Sequence, residues 1–393
     1  MWLAWVFWIG LAIVLYTYAG YGILVIAVLK LRRTRTTSPP AAKSVALPAV
    51  SLIIPAYNEA GAIAEKFENS LALDYPRERL TIVFVTDGSN DGTDTLLQSL
   101  QTPPGATITV LHSAERRGKL AAVERVMPTI TTPITVFSDA NTLLNHAALQ
   151  NLVRHYTDPS IGAVAGEKRV HMEAAAGVQG VGEGLYWKYE SWLKRLDAEL
   201  YSVVGAAGEL FSVRTTLYES VPPDSIIEDF ELSMRIAMRG YRVAYAPDAY
   251  AVEEHSSSLG EEWKRKVRIS AGGLQSVIRL RSVLNPFRYG ILSFQYISHR
   301  VLRWTLAPLL LPVIFLANAG LMGAGVLYVV LLIGQLLFYG AALAGLMLEQ
   351  LGLRVKLFYI PMYFCVMNCA VYVGALRLLR GKQSAVWEKA QRT

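Results

Sequence analysis

Both ends of this chain are apolar over lengths that suit a lipid bilayer. No charged residue occurs in positions 1–29, and Lys30 is the first. As a helix rising about 1.5 Å per residue, that segment is long enough to cross a membrane. Three more long apolar segments lie near 304–320, 322–348 and 356–376. We therefore expect membrane-spanning helices at both ends. Between about 48 and 285 the sequence has ordinary soluble character and is long enough to build a core of its own.

The N-terminal apolar segment is expected to remain as an anchor. It has neither the basic region nor the clear small-residue cleavage site that a secretory signal peptide carries. A basic cluster from Lys30 to Arg35 follows it directly, and the positive-inside rule puts that cluster in the cytoplasm. We predict an integral protein of the plasma (inner) membrane whose soluble domain faces the cytoplasm. The net charge of +7 then favours membrane lipids as partners, and nucleic acid is not expected.

These features divide the chain into six predicted parts. They are an N-terminal transmembrane anchor (1–33), a linker (34–48), a cytosolic domain (49–255), amphipathic interfacial helices (256–290), about three C-terminal transmembrane helices (291–380) and a basic tail (381–393). Another amphipathic helix, Gly182 to Leu200, is predicted to lie along a membrane surface or to pack on the cytosolic domain alone.

The side of the membrane that holds the C-terminal tail is left open by the sequence. Three C-terminal spans would put the basic tail outside, against the positive-inside rule. Either one apolar segment is re-entrant or interfacial, or the tail breaks the rule.

Apolar runs and helical patterns alternate along the cytosolic part. The predicted strands are 50–55, 80–85, 107–112, 134–137 and 161–170, and the predicted helices are 58–73, 92–100 and 120–127. Near-continuously apolar strands that alternate with helices are typical of a parallel sheet covered on both faces. The predicted fold class is therefore α/β, with a mostly parallel sheet, helices on both faces, and transmembrane and interfacial α-helices added to it.

Polar residues follow the predicted strands, at the edge where an α/β sheet binds its ligands. Pro55-Ala56-Tyr57-Asn58-Glu59 ends the first strand and would present backbone N–H groups to a ligand, although a plain helix cap by Asn58 explains it equally well. Asp87 follows the second strand and can accept hydrogen bonds from a nucleobase or ribose. Arg116-Arg117-Gly118-Lys119 surrounds a glycine with cations, which permits close approach of an anionic group.

A hard cation is predicted at Ser138-Asp139-Ala140-Asn141-Thr142, after the fourth strand. The Asp139 carboxylate and the Asn141 side-chain carbonyl can both reach Mg²⁺ or Mn²⁺, which a bound diphosphate would also hold. The structural alternative is a helix cap at Asn141 or Thr142.

An acidic pair, Glu228-Asp229, opens the helical stretch from Phe230 to Met238. A carboxylate there is a candidate general base that deprotonates an attacking hydroxyl. The structural alternative is that both carboxylates only stabilise the helix N-terminus.

These motifs in this order resemble the family 2 inverting glycosyltransferases, whose catalytic domain has the GT-A fold. The resemblance runs from about 50 to 285 and implies transfer of a sugar from a nucleotide-sugar, with uridine as the expected nucleoside. It implies that Asp229 is the catalytic base and that Asp139 and Asn141 hold the metal. The implied donor-binding residues are Pro55, Tyr57, Asn58, Glu59, Asp87, Lys119 and Asp139. The resemblance also implies that the segment Gly205–Glu209 helps to line the acceptor site. The implied acceptor-binding residues are Gly208, Glu209 and Glu228.

One motif of the processive members is missing. Cellulose, chitin and hyaluronan synthases carry Gln-x-x-Arg-Trp on an interfacial helix after the base, whereas this chain reads Trp263-Lys264-Arg265-Lys266-Val267-Arg268. Arg265 and Arg268 can still clamp the donor's diphosphate through bidentate contacts.

We therefore predict a membrane glycosyltransferase that adds a sugar to a lipid-linked or cell-envelope glycan acceptor. The alternatives are a processive polysaccharide synthase that also translocates its polymer, and a non-catalytic nucleotide-binding sensor or transporter. The oligomeric state is left open.

Overall fold

A mixed β-sheet organises the middle of the chain. The computed structural model describes residues 1–33, 47–171, 178–254, 259–351, 353, 355–384 and 386. The strands in these ranges are β1 Val50–Ala56, β2 Leu80–Thr86, β3 Thr107–Leu111, β4 Ile134–Ser138, β5 Thr142–Leu144, β6 Ile161–His171, β7 Leu210–Arg214 and β8 Arg242–Glu254. They form one sheet in the order β3-β2-β1-β4-β7-β6-β8-β5.

Helices lie before, between and after these strands. Their bounds are α1 Trp2–Leu15, α2 Tyr21–Arg33, α3 Ile63–Leu71, α4 Thr93–Ser99, α5 Lys119–Val126, α6 Ala148–Val153, α7 Val178–Leu200, α8 Glu228–Met238, α9 Leu259–Arg279, α10 Pro286–Tyr289, α11 Ile291–Tyr296, α12 Leu302–Trp304, α13 Leu306–Gly320, α14 Val326–Gln350 and α15 Tyr359–Leu379. Five-residue π-helical turns join α1 to α2 and α11 to α12.

Strands β3, β2, β1 and β4 run parallel to one another. Their apolar runs are continuous because both faces are covered: Leu52, Ile53 and Ile54 of β1 are fully buried. Parallel strands end at the same edge, so the residues after β1, β2 and β4 emerge together. The predicted α/β fold is confirmed.

In the other half of the sheet, the direction of the strands reverses at β7. This strand runs antiparallel to β4 and to β6, β6 is parallel to β8, and β5 is antiparallel to β8. Strands β5, β7 and β8 were not predicted from the sequence. Two of them are short, and each depends on partners distant in the chain, which local periodicity does not reveal.

Helix α3 packs its apolar residues into the core under the parallel strands. Ile63 and Phe67 are buried there, and the Phe67 ring stacks on Phe84 of β2 with centroids 5.8 Å apart. Full burial of one such side chain contributes roughly 1.5–3 kcal/mol. This packing secures the helix that follows the first strand.

The helix predicted to begin at residue 58 begins later, at Ile63. Asn58 adopts a left-handed conformation with φ of 54°, and its side-chain amide exchanges hydrogen bonds of 2.9 and 2.8 Å with Asn90. These contacts hold residues 58–62 in a turn, so the alternative of a helix cap by Asn58 is wrong.

The chain separates into two compact units. The sheet unit comprises Arg32–His171, Tyr189–Glu254 and the described residues of 384–393, and the helical unit comprises Met1–Leu31 and the described residues of 172–188 and 255–383. Most of the predicted linker, at 34–46, lies outside the described residues.

Within the described ranges, three helices are long and apolar enough to cross a membrane. They are Trp2–Arg32, Val326–Gln350 and Lys356–Leu379. A fourth candidate is the pair Ile291–Trp304 and Leu306–Gly320, which is bent by 54° and is therefore either a broken span or a re-entrant loop. The segment predicted near 304–320 is the second half of this pair.

Candidate active site

A cleft opens where β1, β2 and β4 end. Its volume, including the part that is open to solvent, is about 590 Å³. Its lining residues are Pro55, Ala56, Tyr57, Glu59, Asp87, Arg116, Gly118, Lys119, Ala122, Asp139, Ala140, Asn141 and Val386. Most of the residues predicted to bind a donor thus lie on one cleft, and Asn58 supports its wall from the adjoining turn.

One wall of the cleft is a stack of Tyr57 and Arg116. The guanidinium carbon of Arg116 lies 3.7 Å from the centroid of the Tyr57 ring. A Cβ at Gly88 would lie 2.6 Å from the backbone nitrogen of Arg116, so only glycine there lets the two loops approach this closely. The flat, cationic surface that results suits a planar group linked to phosphate.

Asp87 is buried and holds the neighbouring loop in place. Its Oδ2 accepts hydrogen bonds from the backbone N–H groups of Arg117 (3.0 Å) and Gly118 (2.6 Å), and Arg125 lies 3.3 Å from Oδ1. Asp87 therefore shapes the floor of the cleft, and its contact with a nucleoside remains a prediction.

Lys119 links two groups of carboxylates. It begins α5, and its Nζ lies 2.5 Å from Asp139 Oδ1 and 3.6 Å from Glu228 Oε1. Burial opposes the charge, but Asp139, Glu228 and Asp229 together raise the pKa of Lys119. Lys119 is therefore a permanent cation between the cleft and α8.

A buried lysine supports the turn that carries Asp139 and Asn141. Lys66 of α3 is fully buried, and its ammonium donates hydrogen bonds of 2.7 Å to Ser138 Oγ and to the Thr142 carbonyl. Burial lowers the pKa of Lys66 to about 7, and Asp139 opposes that shift. Thr142 begins β5, so the alternative of a helix cap at Asn141 or Thr142 is wrong.

The oxygen donors at this turn fit a hard cation. The Asp139 carboxylate and the Asn141 amide both line the cleft, and Mg²⁺ and Mn²⁺ prefer such oxygen ligands. Among the described residues, no three His, Cys, Asp or Glu side chains gather into a cation site. A cation here would need phosphate oxygens to complete its coordination.

Asp229 lies in the first turn of α8, next to the same lysine. Burial, and then the neighbouring charge of Glu228, raise the pKa of Asp229 to about 7, with Lys119 opposing. A second cavity of about 360 Å³ adjoins it, lined by Lys119, Leu120, Val123, Phe137, Phe211, Tyr218, Glu219, Val221, Glu228, Asp229 and Leu232. Lys119 thus borders both the cleft and this cavity.

Comparison with known proteins identifies the family. Residues 48–272, more than half of the chain, match the model of the glycosyltransferase-like family 2. The chain belongs to this family. It is therefore a glycosyltransferase, and the prediction of the enzyme class is confirmed.

Individual relatives of this family 2 glycosyltransferase are distant. Poly-β-1,6-N-acetyl-D-glucosamine synthase of Staphylococcus aureus (strain MSSA476) is 27% identical over 241 residues, which cover 59% of this chain and 56% of that protein. The synthase of the same name from Staphylococcus epidermidis is 23% identical over 238 residues, covering 58% and 56%. The chain thus spans about half the length of these curated relatives.

A solved structure is similar over nearly the whole chain. It is a mannosyltransferase from Pyrobaculum calidifontis in complex with GDP-Man and Mn²⁺, which is 26% identical and aligns with a TM-score of 0.71 over 96% of this chain and 99% of its own. The likeness therefore includes the helical unit as well as the GT-A sheet.

The remaining predicted residues of the glycosyltransferase lie on two parts of the chain. Gly208 and Glu209 precede β7: a Cβ at Gly208 would lie 2.8 Å from Lys119 Nζ and 3.1 Å from Asp229 Oδ2. Arg265 and Arg268 lie on α9 of the helical unit, where Arg265 is 2.9 Å from Glu262. The roles of all four residues stay predictions.

Sequence reasoning missed several residues of the site. Arg116 was noted only as part of the basic segment 116–119. Lys66 lies on an amphipathic helix, and nothing in the local sequence indicates that this charged residue is buried. Val386 comes from the C-terminal segment and lines the cleft. No local pattern connects it with residues more than 200 positions earlier, so only the folded chain reveals it.

Proposed function

We propose that this glycosyltransferase transfers a sugar from a nucleotide-sugar to a lipid-linked or cell-envelope glycan acceptor, with inversion at the anomeric carbon. One observation carries the proposal. Lys119 contacts Asp139 of the donor cleft and Glu228 beside Asp229. The proposed metal-and-phosphate site and the proposed base would then adjoin each other through the Lys119 side chain.

The proposed reaction is a single displacement. The acceptor hydroxyl gives its proton to the Asp229 carboxylate while its oxygen attacks C1 of the sugar from the face opposite the diphosphate. The bond between C1 and the phosphate oxygen breaks, and its electron pair leaves with the nucleoside diphosphate. Asp139 and Asn141 would hold a divalent cation, Mg²⁺ or Mn²⁺, which neutralises charge on the leaving diphosphate. Lys119, Arg265 and Arg268 are the proposed cationic side chains toward the same group.

The nucleoside and the sugar are matters for experiment. The family resemblance leads us to expect uridine, whereas the relative that aligns over nearly the whole chain was solved with GDP-Man. Tyr57 and Arg116 offer a stacking surface that either base can use.

A processive polysaccharide synthase is the second candidate. The curated relatives are named as synthases of a polymer of N-acetyl-D-glucosamine, which favours it. The missing Gln-x-x-Arg-Trp motif at 263–268 favours addition of single sugars. Product length measured by gel filtration or mass spectrometry separates the two candidates.

The pH dependence of transfer follows from the burial of Asp229. Its pKa is raised to about 7, and a base works only when it is deprotonated, so the turnover rate should fall about tenfold per pH unit below that value. Measurement of nucleoside diphosphate release between pH 5.5 and 9 checks this. Glu228→Gln should move the rise to lower pH, because it removes a charge that raises the pKa. A rate independent of pH from 6 to 9 would contradict the assignment.

We propose that the plasma membrane holds the protein with the sheet unit and the tail both in the cytoplasm. Val386 lines the cleft of the sheet unit, and a chain that returns to its own side crosses the membrane an even number of times. Helices α14 and α15 supply two crossings, so the bent pair at 291–320 would be re-entrant. This arrangement also keeps Arg377, Arg380 and Lys382 inside, as the positive-inside rule requires.

Cysteine labelling tests this topology. In a variant whose Cys365 and Cys369 are replaced by Ser, we expect Gly323→Cys and Ser384→Cys to react with an impermeant maleimide only from the cytoplasmic side. Labelling of position 323 from the outside would make the bent pair a true span.

The function itself is tested with purified protein in detergent. We would measure nucleoside diphosphate release with Mn²⁺ against a panel of UDP- and GDP-sugars, with and without lipid-linked acceptors. Release with one donor would identify it. The absence of both release and nucleotide binding across the panel would overturn the proposal.

A further inference from the structure

The four residues Gly205–Gly208, here called the glycine segment, pack against the helix that carries Asp229. They precede β7, and the helix is α8. Gly205 has a φ of 85°, and a Cβ added there would overlap the buried ring of Phe230. Only glycine therefore allows the backbone to lie this close to α8 in this conformation.

A fully buried hydroxyl joins the glycine segment to α8. The Oγ of Ser233 accepts a hydrogen bond of 2.8 Å from the backbone N–H of Ala206. The same hydroxyl donates within its own helix, to the carbonyls of Asp229 at 2.8 Å and Phe230 at 3.0 Å. A buried N–H that loses its partner costs more free energy than the bond itself contributes, so this contact holds the segment on the helix.

The other end of the glycine segment reaches the Asp229 carboxylate. A Cβ added at Gly208 would lie 3.1 Å from Asp229 Oδ2 and 2.8 Å from Lys119 Nζ, so the backbone at Gly208 lies against both groups. A base must be within hydrogen-bond reach of the proton that it removes, and a displacement of about 1 Å can lower a rate by about 10²-fold. The position of the glycine segment therefore matters for catalysis.

We propose that Ser233 is a positioning residue for sugar transfer: by holding the glycine segment on α8, it fixes the place of the Asp229 carboxylate relative to the acceptor. Ser233 is not among the residues that line the donor cleft or the neighbouring cavity, so its effect passes through Ala206 and Gly208. The inference rests on the proposed function for the role of Asp229 as the base.

Ser233→Ala tests this in the full-length protein in detergent. The alanine leaves the Ala206 N–H without its partner, so the glycine segment should loosen. We expect kcat to fall by about 10–100-fold, as for a misplaced catalytic group. The Kd of the nucleotide with Mn²⁺ should stay that of the wild type, because the glycine segment does not line the donor cleft.

The pH profile of kcat separates positioning from a general loss of stability. Burial is the main cause that raises the pKa of Asp229; the charges of Glu228 and Glu209 also raise it, and Lys119 lowers it. A loosened glycine segment admits water to the carboxylate and carries Glu209, the next residue, away from it. Both changes lower the pKa, so the rise of kcat should move to lower pH in Ser233→Ala.

Hydrogen exchange measured by mass spectrometry follows the glycine segment without any substrate. The backbone N–H of Ala206 should exchange faster in Ser233→Ala than in the wild type, because its hydrogen bond is lost. If Ser233→Ala does not fold, Gly205→Ala tests the same contact from the other side. The added Cβ displaces the segment from Phe230, so the same loss of kcat with retained nucleotide binding is expected.

The matched control is Ser70→Ala. Ser70 is fully buried in α3, and its hydroxyl donates a hydrogen bond of 2.7 Å to the carbonyl of Lys66, four residues earlier in the same helix. This variant also removes a buried serine hydroxyl from a helix of the sheet unit. It should leave kcat, the pH profile and the exchange of Ala206 unchanged.

Three results would overturn the proposal. The first is unchanged exchange of Ala206 in Ser233→Ala, and the second is a wild-type kcat despite faster exchange. The third is a loss of nucleotide binding as large as the loss of kcat, with no shift of the pH profile, which would leave Ser233 a role in stability alone. If Ala206 exchanges faster while no donor supports transfer by the wild type, the proposed function fails and the hold of Ser233 on the glycine segment stands.

Discussion

Asp229→Asn should lower the rate of sugar transfer by about 10²–10⁴-fold, the usual contribution of a general base, and should change the Kd of the donor by less than about threefold. The amide is nearly isosteric with the carboxylate but cannot take up the acceptor's proton. Asp229 lines the cavity beside the donor cleft and is not among the residues that line the cleft itself, so donor binding should persist. Turnover measured by nucleoside diphosphate release and the Kd measured by nucleotide titration check the two halves of this expectation.

The same variant has a second readout, the pH dependence of its stability, which checks that the pKa of Asp229 is raised in the folded protein. The pKa of Asp229 is raised to about 7 in the folded protein, above its value in an unfolded chain. Its favourable contribution to folding is therefore present at low pH and is lost as pH rises through about 7. Asp229→Asn removes that dependence, so its melting temperature should exceed that of the wild type at pH 8.5 and approach it at pH 5. Loss of donor binding as severe as the loss of turnover would refute the role as base.

Asp139→Ala should weaken donor binding in the presence of Mn²⁺ by about 10–100-fold, the range found when the surroundings of a metal site are disrupted. Asp139 is the acid of the predicted metal motif and also the partner of Lys119 at 2.5 Å. Its removal takes away a ligand of the cation and releases the lysine. The check is the Kd of the nucleotide with Mn²⁺ and again with excess chelator.

Chelation separates the metal from other effects of Asp139. With chelator, the wild type should bind nucleotide about as weakly as Asp139→Ala, and the variant itself should hardly respond to Mn²⁺. Asp74→Ala removes an exposed aspartate of the same unit and should behave as the wild type. Normal nucleotide affinity of Asp139→Ala in manganese would count against the metal site.

Much of the site's framework was predictable because it is encoded locally. The strands before Asp87 and Asp139 are short, apolar and bounded by polar turns, and parallel pairing then requires both residues to emerge at one edge. Asp229 was predictable because an acidic pair opens an amphipathic helix. The start of α3 was missed because Asn58 and Asn90, distant in the sequence, hold the intervening turn.

Four features could be read directly from the sequence: the long apolar segments at both ends, the parallel half of the sheet, the order of the motifs and, through that order, the family. Each of these follows from hydrophobic periodicity or from neighbouring residues. The contacts of Lys119 with Asp139 and Glu228, and the support of the turn by Lys66, could be learned only from the folded chain. The partners in these contacts are 20, 109 and 72 residues apart in the chain, and the pairing of the strands brings their segments together. Register is selected by the packing of the whole core rather than by any local pattern.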